Sequence, residues 1–175
     1  MRLRRCAAML LSIAAAAPAG AQDFDPATLD LAALIECRAD VPTYNNFAFW
    51  LTGEENGALE KLGWTEVESG NPLLGQFKLP APVTAFGHQT DNIVFTSSGP
   101  MMVLDGVPPQ ELADKLGVAP VVASSEKFLG EKVIVEKSEE DGGITLKTRI
   151  ALNVSTVDSH PGKTLAGCSY QIEVQ

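Results

Sequence analysis
Histidine is nearly absent from this chain. Its 175 residues carry only His88 and His160. A protein metal site draws three or four His, Cys or carboxylate ligands at characteristic spacing. The segment His88-Gln-Thr-Asp91 offers two such groups, and it reads as a solvated turn in which Asp91 caps local amides. Neither a metal nor another cofactor is expected. A serine nucleophile in a Gly-x-Ser-x-Gly elbow is missing. So is a glycine loop fit to cradle phosphate, because Gly142-Gly143 follows the acidic run Glu139-Glu140-Asp141, which repels anions. Adjacent acids such as Glu54-Glu55 and Glu139-Glu140 read as solvated, since glycoside hydrolysis needs two carboxyls opposed across a cleft.

Positive charge is also scarce. Thirteen Lys and Arg face 22 Asp and Glu, for a net charge of −9. Nucleic acid and anionic membrane surfaces are read through basic patches, so both are excluded as expected partners. An apolar run of the ~20 residues needed to span a bilayer is missing too, and no membrane insertion of the mature chain is expected.

What the chain does have begins at its front. Arg2, Arg4 and Arg5 precede a short apolar run over 6–17, and Pro18-Ala19-Gly20-Ala21 follows. A basic start, a short apolar segment and an Ala-x-Ala-like site make a secretory signal peptide over 1–21. Cleavage after Ala21 leaves one α+β domain over 22–175, exported to the periplasm or beyond a bacterial cell. Loss of three arginines takes its charge to −12. Cys6 leaves with the signal.

Cys37 and Cys168 then remain, an even count in an oxidising compartment. Leu165-Ala-Gly-Cys168 has the residue pattern of a lipid-anchor site, but no apolar signal segment precedes it, so the match is read as chance. Cys37 lies on the apolar side of a helical stretch. Cys168, Tyr170, Ile172 and Val174 alternate on one strand face. Both cysteines point to the core, and a bridge between them is expected. Its large loop corresponds to ~5 kcal/mol in the chain-entropy picture.

The pattern of elements predicts N-terminal helices packed on a largely antiparallel sheet with one inserted helix. Helices are read over 26–39, 43–51 and 54–62, and an inserted one over 108–117 with a proline start and glycine stop. Strands are read over 64–68, 75–79, 83–86, 92–96, 101–104, 131–137, 144–154 and 167–174. A faint internal echo joins Phe86-Gly87 to Phe128-Leu-Gly130. In the aromatic segment 44–51, Phe47, Trp50 and Leu51 fall at core spacing. The competing reading of that segment is a binding surface, since Trp and Tyr often anchor interfaces.

Two functional classes emerge. The first is a non-enzymatic exported cell-envelope protein that binds a protein partner, such as an inhibitor, an immunity protein or an accessory factor. Its candidate binding residues are Ser98, Pro100 and Met101, where adaptable methionines adjoin a rigid turn, together with His88 and Asp91. The alternative is a small hydrolase or small-ligand binder using His88, Asp91 and Ser98.

Overall fold
The computed structural model describes residues 24–175. The expected signal segment and its cleavage point lie outside the described residues. The fold is mixed α+β and dominated by strands. Eight strands form one antiparallel sheet in the order β1-β2-β3-β4-β8-β7-β6-β5. They are β1 Thr65–Val67, β2 Gly75–Ala85, β3 His88–Thr96, β4 Gly99–Asp105, β5 Ala119–Ala123, β6 Phe128–Asp141, β7 Ile144–Ser155 and β8 Lys163–Val174. Helices α1 Leu31–Ile35, α2 Val41–Thr52 and α3 Ala58–Leu62 precede β1, and α4 Pro109–Leu116 lies between β4 and β5. The topology is thus two four-stranded meanders joined edge to edge by their last strands, β4 and β8.

Local chemistry explains the boundaries. The helix expected over 26–39 is broken into a 3₁₀ turn, Pro26–Thr28, and α1. Asp25 and Asp30 each cap their own turn by accepting a backbone N–H, from Ala27 and Ala33 respectively, so capping wins over continuity. Asp40 caps α2 by accepting from Thr43 N at 2.8 Å. Val41, Tyr44, Phe47 and Trp50 then form its buried stripe.

The strands expected over 75–79 and 83–86 are one strand, β2. Its pairing with β3 shifts between Lys78 and Val83, where Pro80 and Pro82 lack the N–H a ladder needs. β3 begins at His88, so the segment 88–91 is strand; the turn is Phe86-Gly87, with Ala85 paired to His88. β5 was not legible as a strand, with Pro120 in its short sequence. Residues 138–141, three of them acidic, extend β6, and only Gly142-Gly143, both at positive φ, make the turn, as a tight hairpin requires. The internal echo does not mark equivalent places: Phe86-Gly87 turns β2 into β3, whereas Phe128 opens β6.

The helices cover one face of the sheet. α1 packs on β2, β4 and β8, and α4 on β5, β6 and β7. Between the layers sits the main core, including Leu34, Phe47, Trp64, Ile93, Met102, Leu112, Leu152 and Val154. Among the described residues, the other face carries no helix. The β7–β8 connection folds over part of it, with Val157 packed on Val94, Met101, Val103 and Leu165.

Cys37 and Cys168 are bridged, with Cα atoms 5.2 Å apart. Cys37 stands just past α1 at φ 59°, in a turn and not on the helix face expected for it. Beside the bridge, the buried Tyr170 hydroxyl donates to Leu34 O at 2.7 Å and its ring stacks on Tyr44 at 4.8 Å. Ile172 and Val174, expected on the same buried face, run past the helix layer into solvent.

Candidate binding groove
Of the residues named for the hydrolase or small-ligand reading, His88 and Asp91 are brought together and Ser98 lies apart. His88 and Asp91 line a small depression of about 350 Å³, where the Asp91 carboxylate pairs with Lys78 at 3.4 Å. Ser98 lies in the turn at the far end of β3. Eight residue steps along the strand separate His88 from Thr96, about 26 Å of extended chain. The Ser98 hydroxyl lies 3.3 Å from that of Thr96. Pro100 and Met101 belong to β4 and are buried. Met101 helps form the small apolar cluster under Val157, and neither side chain is exposed.

His160 is buried. The Gln76 amide donates to Asn92 Oδ1 at 2.9 Å. Gln76 Oε1 therefore accepts from His160 Nε2–H at 3.1 Å, and Nδ1 accepts from the Ser159 hydroxyl at 3.0 Å. This assignment needs a neutral ring, and burial lowers the His160 pKa in the same sense. Among the described residues, no three His, Cys, Asp or Glu side chains converge as metal ligands. No described helix is long and apolar enough to cross a membrane.

One concavity has a different character. A groove of about 850 Å³ runs between α2, α3 and the β1–β3 end of the sheet. Its aromatic floor is Phe77 and Phe95, edge to face at 5.9 Å, backed by Trp64 and Phe47. Ala48, Leu51, Ala58 and Leu59 add aliphatic wall. On one side stands Phe49. It follows Phe47 by two residues, about 200° around the helix, so burying Phe47 turns Phe49 outward, and it is 73% exposed.

On another side stands Leu73, 80% exposed. It is not on a loose tail. Ser69 Oγ donates within the 69–74 loop, to the carbonyls of Asn71 and Leu74, and Asn71 Oδ1 accepts from Leu73 N at 3.0 Å. The loop is built so that its leucine faces solvent.

A single exposed leucine or phenylalanine needs no explanation. Two of them beside an open apolar concavity form a patch, and such patches mark interaction sites. The charged residues lining the groove are Glu54, Glu60 and Glu66, with no lysine, arginine or histidine among the lining side chains. Apolar burial is what the groove offers. Covering a Phe or Leu side chain fully is worth ~1.5–3 kcal/mol.

A concavity of similar size, about 770 Å³, lies between the β4–α4 segment, the β5–β6 turn and the β7–β8 connection. It is lined by turns bearing charges of both signs, such as Glu126, Lys127, Asp158 and Lys163, and lacks the aromatic floor.

The core reading of the aromatic segment 44–51 holds for most of its rings. Tyr44, Phe47 and Trp50 are core, and Phe49 is surface. Leu73, Glu60 and Glu66 do not stand out in the sequence, and Glu54 reads there only as a solvated acid. The available signal was local: between Arg38 and Lys78 the chain carries six carboxylates and one cation, Lys61. Comparison with family models, with curated proteins and with solved structures finds no match to this chain.

Proposed function
We propose that this protein is a non-enzymatic, exported binding protein of the bacterial cell envelope, which docks a protein partner in the groove between α2, α3 and β1–β3. It would serve as an inhibitor, an immunity protein or an accessory factor. The observation that carries this reading is the pair Phe49 and Leu73, held in solvent beside an aromatic floor. The signal-like sequence over 1–21 and the Cys37–Cys168 bridge support the export half of the reading.

Affinity capture from envelope extracts tests it. The exported protein is expected to retain a stoichiometric protein partner. The double variant Phe49→Ser/Leu73→Ser is expected to lose that partner while keeping its melting temperature, since both side chains are already exposed. A partner retained equally by the variant contradicts the groove as its dock. Absence of any partner contradicts the function.

A further inference from the structure
We propose that the occupant of the groove is a cationic amphipathic segment of the partner protein, with apolar side chains toward the groove and Lys or Arg along its flanks. This rests on the groove being the docking site. Shape and charge together select the class. The floor demands apolar contact. The rim is of one sign: Glu54, Glu60 and Glu66.

Among the described residues none of these three carboxylates is in an ion pair, whereas Glu36, Glu131, Glu136 and Glu139 are each paired with a Lys or Arg. The rim glutamates are thus free to meet cations brought by a partner. Acidic segments and phosphate-bearing ligands meet repulsion at the same rim. An uncharged apolar segment gains nothing from it.

Lys and Arg suit the site for a second reason. Their aliphatic stems can lie along Phe49 while the charged heads reach a glutamate, and a cation over an aromatic face gains further attraction. Complementary charge of this kind speeds encounter and rejects like-charged competitors.

Three synthetic peptides of equal length separate the terms, with binding followed by calorimetry. One has a Leu face and a Lys face. A second replaces every Lys by Glu. The third keeps the Lys pattern and replaces Leu by Ser. The Leu/Lys peptide is expected to bind one to one, at least tenfold tighter than either of the others. Glu54→Gln/Glu60→Gln/Glu66→Gln is expected to weaken it roughly fivefold to tenfold at low salt, the sum of three exposed charge pairs. High salt should shrink that difference. Phe49→Ser/Leu73→Ser, which leaves the charge unchanged, should weaken it at least tenfold.

Equal affinity for the Leu/Glu peptide, or an unchanged affinity in the triple Gln variant, overturns the cationic class. If the Leu/Glu peptide binds and the double Ser variant abolishes that binding, the groove stands and only the class falls. If the double Ser variant leaves every affinity unchanged, the groove itself falls.

Discussion

At the scale of single residues, His160 shows how a side chain can matter without doing chemistry. It ties the β7–β8 connection to β2 through Gln76, across the helix-free face of the sheet. Its folded pKa is lowered by burial, below the ~6.5 of an exposed histidine. The sign follows. Above that value the ring is neutral in both states and costs nothing. As pH falls through it, the unfolded chain takes up a proton that the folded protein resists, so stability is lost. Urea unfolding at pH 7.5 and 5.5 should therefore show a larger loss for the native protein than for His160→Asn. Parallel losses would mean that the ring protonates freely in place. Asp40 acts in the opposite region of the scale. Hydrogen bonds from Thr43 hold its pKa low, so its contribution is lost only at more acidic pH and is common to both proteins.

The elements explain what could and could not be read in advance. The long hairpin of β6 and β7 was legible because Leu152 and Val154 alternate with the polar Asn153 and Ser155 and two glycines mark the turn. The bridge was legible because only two cysteines remain once a signal segment is set aside. β5 was not, since a short edge strand with a proline carries almost no pattern. The 26–39 helix was over-extended because periodicity alone ignores a second capping aspartate.

Leu165-Ala-Gly-Cys168, which mimics a lipid-anchor pattern, has a packing reason for each residue. Leu165 is buried on the helix-free face, Ala166 is buried under the helices, and Cys168 is bridged. Gly167 sits where β4 and β8 join the two meanders. A Cβ there would stand 2.6 Å from Met101 Cα, inside the backbone of the paired strand. Gly167→Ala should thus force the central seam apart and cost on the order of 1–3 kcal/mol, as overpacking does. Thermal or urea unfolding measures it. A cost of only a few tenths would show the seam to be pliable.

At the scale of the whole molecule, the helix layer and the sheet leave two kinds of surface. The helix-free face joins a small apolar cluster under Val157 to polar pairs, Arg149 with Glu131 and Asn153 with Ser169 at 3.1 Å. The groove at the β1–β3 end is apolar, aromatic and unsatisfied. The candidate site was only half legible in sequence for a physical reason. The spacing of Phe47 and Trp50 reports a buried stripe, but an exposed Phe49 becomes informative only when Leu73 and the sheet floor are placed beside it. That juxtaposition joins an α2 residue to a loop leading into β2, and no local pattern encodes it. A net charge of −9 favours solubility and repels acidic partners, and the rim concentrates the same sign where contact would occur.

The central claim is that this groove is where the protein meets its partner. Its most direct test replaces Phe49 by a benzophenone-bearing phenylalanine in the native envelope and irradiates, with the same group at the exposed Glu140 as the control. One discrete protein adduct is expected from position 49 and none from position 140. No adduct at position 49, or the same adducts from both positions, would contradict that claim.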